Sequence, residues 1–378
     1  MLSEKYLRHL YKRFLRFHKS SFLIDAKKHS TSLENLKLTD KIIGQFFDSY
    51  VKPSFFSFLV SAKTIIYSAE TVYEFIAKTS TEDWKLWPYL KFLETEKIIK
   101  VQRDGKVSLL KKDILDLIPK PQSEQEIKAK IEKRLKLKIK EKEPVTSLFK
   151  KFHDFQVKAR WDQMPISQGS AIFVAKKILE NIPLNKKFLF VGDDDFISVV
   201  LGIADPKIES LVIDADEQLL ECIDVLAKKF NLKIKTRKVD IRKTKTLGEK
   251  FVGFLTNPIY TEPGVREFVK YGVNQLGKDG GSVFLEVGDE DIGNRFLFLQ
   301  DFFNKSNLKI EELILNKISY PYIELYKEDK EILGRLSRMM DKRTIESSPK
   351  LAASLYVFTY LPSRPQKVKF KKPIYAYI

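Results

Sequence analysis

The sequence predicts an α/β chain in two parts, a basic and mainly helical front followed by a doubly wound sheet domain. Three observations lead there. At 378 residues the chain is long enough for two or three domains. Its positive charge is concentrated at the front, where residues 1–150 carry 31 Lys and Arg against 19 Asp and Glu, while the remaining 228 carry 37 against 31. After about residue 160, short apolar runs alternate with helical stretches, as a parallel sheet with crossover helices requires.

Composition limits the chemistry. With 43% hydrophobic and 31% charged residues the chain can build cores, which excludes a mainly disordered protein. A single cysteine, Cys222, excludes a disulfide framework, a cysteine-based zinc site or an iron–sulfur cluster within one chain. The four histidines, His9, His18, His29 and His153, all lie in the first half, so a reaction in the second half proceeds without a histidine base, and no metal site is expected. No apolar run approaches 18 residues, which argues against a membrane span. The basic N-terminus is too often interrupted by Lys and Arg to be a secretory signal, so the expected location is cytoplasmic. The charge content, with one Cys and four Met, fits a thermophile's protein.

In chain order, residues 4–16 space Tyr6, Leu7, Leu10, Tyr11, Phe14 and Leu15 as one face of a helix, opening a helical region over 1–65. Residues 69–78 read as a short helix, and 81–98 as one or two more, broken near Pro88. Two short strands about the Asp104-Gly105 turn follow. Helices leading into such a ribbon look like a winged helix over 66–120, a module that binds DNA in many proteins and packs or dimerises in others, so nucleic-acid contact and a homodimer both stay open. Residues 121–150 are dense in Lys and Glu with Ile127, Ile131, Leu135 and Ile139 every fourth residue, and read as a charged helical linker. In the last part, 151–378, strands are expected at 186–192, 210–216, 234–240, 253–258, 281–287, 308–316 and 354–360. Seven strands, mostly parallel with a late hairpin, suit a Rossmann-like domain of the class I methyltransferase architecture. Cys222 falls inside a helix there and reads as a small core residue.

Such sheets bind ligands beyond the carboxyl ends of their strands, where the strand order reverses. The first loop there is Gly192-Asp193-Asp194-Asp195, with aspartates where small residues are usual. Three neighbouring carboxylates repel one another, and burial raises their pKa values, unless a cation compensates. One aspartate would suffice to cap the helix beginning near Phe196. The field of three disfavours the carboxylate of S-adenosylmethionine and favours an amine that lacks one. Asp214, 22 positions after Gly192 at the end of the second strand, suits ribose hydroxyls. Asp240, at the next strand end, suits an adenine amino group, with Ile241 beside the ring. The fourth loop, Asn257-Pro258-Ile259-Tyr260-Thr261, has the form of sites that orient an amine nucleophile, in which an amide oxygen and a backbone carbonyl accept its hydrogens and aim its lone pair. Asn257 and Tyr260 are therefore candidate catalytic residues.

The segments FVGDDDFISVVL, VIDADEQLLE, DIRK and NPIYTEPGVREFVKYGVNQL closely resemble the branched-chain polyamine synthases, the N(4)-bis(aminopropyl)spermidine synthase family. Asp162-Gln163 matches a further Asp-Gln element, and the resemblance covers roughly residues 155–320. The resemblance implies aminopropyl transfer from decarboxylated S-adenosylmethionine, a co-substrate rather than a permanently bound cofactor, to the secondary amine of spermidine. It implies that Asp194 or its neighbours orient and deprotonate the acceptor, and that Gln163, Gly192, Asp193 and Asp195 line the donor site. The chain departs from the family in two places. Asn257-Pro258-Ile259 stands where Asp-Pro-Pro is usual, and Gly169 stands in ISQGS where an acid is usual.

Two other functions fit parts of the pattern. An S-adenosylmethionine-dependent N-methyltransferase acting on nucleic acid or protein would use the Asn-Pro-x-Tyr loop, although the triple aspartate opposes its donor's carboxylate. A non-catalytic winged-helix regulator with a polyamine- or nucleoside-sensing domain would use the basic front.

Overall fold

A computed structural model describes residues 4–30, 47–48, 53, 55–68, 83–153, 155–158, 161–182, 184, 187–321, 338 and 351–363. These fall into two units, one within residues 1–120 and the other Pro121–Leu361. No helix among the described residues is long and apolar enough to cross a membrane.

The first unit contains α1 (Glu4–Ser30), α2 (Phe55–Ser68), α3 (Asp83–Thr95) and an antiparallel ribbon of β1 (Ile99–Val101) with β2 (Val107–Leu109). Phe14 of α1 packs against Phe58 of α2 and against Tyr89 and Phe92 of α3, so aromatic rings hold the helices together. Burial among these rings lowers the His18 pKa to about 4. The helix does not break at Pro88 as expected but runs through it. The buried side chains of Tyr89, Leu90, Phe92 and Leu93 outweigh the one backbone bond that proline forfeits. The Asp104-Gly105 turn is as expected, with Gly105 at φ 83°. The helix expected over 69–78 lies outside the described residues.

The second unit opens with α4 (Glu124–Leu135), started by a capping box between Ser123 and Glu126. This charged stretch, read from sequence as a linker, belongs to the core: Ile127, Ile131 and Leu135 are wholly buried against the sheet domain, and its Lys and Glu residues face outward. It is followed by α5 (Gln168–Asn181), β3 (Phe188–Val191), α6 (Ile197–Ala204), β4 (Ser210–Asp214), α7 (Glu217–Lys229), β5 (Ile234–Lys238) and β6 (Gly253–Thr256). Then come α8 (Glu262–Gln275), β7 (Gly281–Val287), α9 (Asp289–Ile292), α10 (Phe296–Lys305), β8 (Leu308–Tyr320) and β9 (Leu351–Tyr360). The sheet order is β5-β4-β3-β6-β7-β9-β8, parallel throughout except for β9, which runs against both its neighbours. This is the expected class I methyltransferase architecture, and all seven expected strands are present.

Side chains alternate across the sheet, so each strand serves two cores. Phe188 and Phe190 enter the layer beneath α4 to α7, whereas Leu189 and Val191 enter the layer beneath α8 and α10. Cys222 is fully buried in the first layer, and burial pushes its thiol up to about 12. Because β3 pairs with β4 on one side and with β6 on the other, the order reverses between β3 and β6. The loops that follow those two strands flank the crevice.

Candidate active site

Gly192 follows β3 at φ 79°, a conformation that favours glycine, and an added Cβ would lie 3.8 Å from Oδ2 of Asp214. The chain then turns through the three aspartates, and the structure gives each a different partner. Asp193 accepts from the amides of Ile197 at 2.8 Å and Ser198 at 3.2 Å, so it caps the first turn of α6. Asp194 accepts from the Met164 amide at 3.0 Å and keeps part of its surface open. Asp195 is 2% exposed and accepts from the Ile166 amide at 2.7 Å and from Nδ2 of Asn257 at 2.9 Å.

The segment just after Asp162-Gln163 lays the backbone amides of Met164 and Ile166 over the aspartates. Gln163 turns its side chain to the next loop, where Nε2 donates to Asp216 at 3.0 Å and Oε1 accepts from the Lys158 amide at 2.9 Å. Asp216 also accepts from Lys158 Nζ at 2.6 Å and caps α7 through the Gln218 amide. Asp214 stands beside Gly192 and accepts from the Asp216 amide at 2.8 Å. Asp240, by contrast, is gripped by Arg242, whose Nε and Nη2 both donate at 2.9 Å. Ile241 packs part-buried on the second core layer. Gly192, Asp193, Asp194, Asp195, Asp214, Asn257 and Tyr260 thus stand at the carboxyl ends of β3, β4 and β6, with Gln163 against Asp216 and with Asp240 and Ile241 at the end of the next strand outward.

Two residues complete the site that the sequence reading missed. Tyr320, at the end of β8, is buried, receives Nδ2 of Asn257 at 2.9 Å and shares a 2.6 Å hydroxyl–hydroxyl hydrogen bond with Tyr260. Glu286, in β7, is wholly buried, and neither carboxyl oxygen has a hydrogen-bond partner among the described residues. A glutamate inside the apolar run GSVFLEV was the available signal, since a strand buried on both faces has no solvated side for a carboxylate. Tyr260 is held from the other side by Gly288, where an added Cβ would come within 2.8 Å of its ring.

The electrostatics follow from packing carboxyl groups together away from water. Burial, then the charges of Asp195 and Asp214, holds Asp194 well above the usual carboxylate range. Burial pushes Asp195 up to about 7 and Asp214 to about 6, and burial with the nearby aspartates raises Glu286 strongly. Asp240 goes the other way, to about 2, because Arg242 hydrogen-bonds its charged form. Tyr260 and Tyr320 are raised well above the ordinary phenol, first by burial, and stay protonated donors. Among the described residues no group of three or more His, Cys, Asp or Glu is arranged to hold a metal ion. The arrangement clusters carboxyl groups whose joint ionisation out of water is costly, a cost that a cation would relieve.

The model of the branched-chain polyamine synthase A C-terminal domain matches residues 150–351. An uncharacterized protein of Methanocaldococcus jannaschii is 35% identical over 133 residues, 35% of this chain and 34% of that one. The N(4)-bis(aminopropyl)spermidine synthase of the same organism is 34% identical over 97 residues, 24% of this chain and 27% of that one. The chain spans about a third of the length of the curated relatives it matches. Among solved structures, a branched-chain polyamine synthase C9 mutein from Thermus thermophilus, in complex with N4-aminopropylspermidine and 5′-methylthioadenosine, is similar at a TM-score of 0.46 and 16% identity. That comparison covers 86% of this chain and 94% of the other.

Proposed function

Since the chain belongs to the branched-chain polyamine synthase family, we propose that it transfers aminopropyl groups from decarboxylated S-adenosylmethionine to the secondary amine of a spermidine-type polyamine. One observation carries the reading: the loop at the strand reversal sets Asp194 beside the buried Asp195, which binds Asn257 of the facing loop. Both reactants of this transfer are cations without a carboxylate, so their entry relieves the repulsion among these carboxyl groups.

The chemistry divides among the residues. Gly192 lets the donor approach the end of β3, and Asp214 beside it receives the ribose hydroxyls. Asn257 donates through Nδ2 to Asp195 and Tyr320, which leaves its oxygen to accept an N–H from the acceptor. The amine nitrogen attacks the aminopropyl carbon next to sulfur, a C–N bond forms, and the C–S bond breaks. The bonding pair returns to sulfur, the sulfonium becomes a neutral thioether, and Asp194 receives the proton that the nitrogen loses. Catalysis on this reading is orientation plus a proton acceptor whose pKa burial and the neighbouring carboxyl groups raise. Asp193 and Gln163 support the loops rather than the ligand, and Asp240 serves adenine only if Arg242 yields it.

The test is incubation with decarboxylated S-adenosylmethionine and a panel of linear polyamines, with products read by mass spectrometry. Mass gains of one or two aminopropyl groups on an internal nitrogen support the proposal. Calorimetry with both donors provides the opposite outcome: tighter binding of intact S-adenosylmethionine, with methyl transfer, would replace it by an N-methyltransferase.

A further inference from the structure

Glu286 has no role in the transfer described above, yet it is the sixth of seven consecutive buried residues in β7 and its carboxyl is unpartnered. Carboxyl groups are rarely left this way, because a buried polar group without a partner loses the water it gave up and gains nothing.

Strand geometry fixes where it points. Leu255 of β6 pairs with Phe284 of β7, and both side chains enter the first core layer. Two residues on stand Glu286, on the same face of β7, and Asn257, just past the end of β6. On the other side Leu355 of β9 pairs with Glu286 and belongs to the same layer. The carboxyl group therefore stands on the face of the sheet that carries Phe284 and Leu355, wholly buried and without a hydrogen-bond partner. The groups that act on it are Asp195, Asp194 and Asp193, all of one sign, and its own charge acts on both tyrosines.

We propose that Glu286 is a binding residue for the acceptor and takes one protonated amine of the polyamine while Asp194 faces the nitrogen that reacts. This rests on the reading of the chain as a polyamine aminopropyltransferase. An ammonium group has three N–H donors, which suit the carboxylate of Glu286 together with the hydroxyl of Tyr260 or Tyr320. On its arrival Glu286 gives its proton to solvent and the pair becomes an ion pair out of water. Such a contact sets acceptor affinity and the spacing between bound and reacting nitrogens, and leaves the nucleoside untouched.

Glu286→Gln keeps the shape and removes the charge. Spermidine binding by calorimetry and its KM in the transfer assay should weaken at least about tenfold. Affinity for 5′-methylthioadenosine should stay within about twofold, and kcat should fall less than KM rises. Unchanged spermidine binding in a folded variant would overturn the inference and leave the activity standing. Wild-type protein that neither binds spermidine nor forms product would instead remove the functional reading itself. A structure of the wild type soaked with spermidine decides the matter without any variant. An amine nitrogen within hydrogen-bonding distance of Glu286 supports the assignment, and a polyamine bound elsewhere ends it.

Discussion

Nδ2 of Asn257 lies 2.9 Å from Oδ2 of Asp195, so the loop after β6 meets the loop after β3 as a donor meeting an acceptor. Asn257→Asp turns that donor into a second carboxyl. At pH 8 the variant should lose about 2 kcal/mol through the lost hydrogen bond and like-charge repulsion. Near pH 5 one of the two carboxyls keeps its proton and donates, so the deficit should shrink. Urea melts at the two pH values check this, and an equal loss at both would contradict it.

The ligand-free protein should become less stable as the pH rises from about 4 to 7. Asp195 and Asp214 have folded pKa values of about 7 and about 6, both above their ordinary value of 3.8. Between those limits the folded state holds protons that the unfolded chain has released, so these groups stabilise below about pH 4 and lose that contribution as the pH climbs through 6 and 7. Asp195→Asn should flatten the slope in a thermal series across this window. Saturating spermidine should raise the melting temperature more at pH 8 than at pH 5.

Asp194→Asn should reduce aminopropyl transfer at least about 100-fold, the usual scale for loss of a general base. Its fold should persist, because an asparagine oxygen can still accept from the Met164 amide. Product formation in single-turnover assays, alongside circular dichroism, separates the two effects. Wild-type turnover would refute the assigned role.

Asp193→Ala should do the reverse of its neighbour's substitution. It removes the cap on the Ile197 and Ser198 amides and should cost about 1–2 kcal/mol. The crevice chemistry should survive in the fraction that folds. Denaturant melts normalised against active-site titration distinguish this from a catalytic loss.

The architecture was legible because a parallel sheet buried on both faces writes its strands as unbroken apolar runs, and the strand-reversal rule then selected the loops. What each carboxylate does was less legible. Three adjacent aspartates look alike in a string, but only folding shows that Asp193 faces a helix start, Asp195 faces Asn257 and Asp194 faces the Met164 amide. Asp240 looked free, although Arg242 two residues on grips it once the turn forms. Tyr320 could not be placed from local pattern, because its position depends on a register that β8 shares with a strand beginning at Leu351 and that shifts twice along the way. The Lys- and Glu-rich segment around Ile131 looked like a tether because its charges outnumber the three buried side chains that bind it to the core.

The position of β9 imposes an order of events on the newborn chain. Strand β8 is made earlier but reaches the sheet only through β9, which must slot in beside β7 first. Until β9 pairs with β7, β8 has no place in the sheet and Tyr320 at its end cannot reach Asn257.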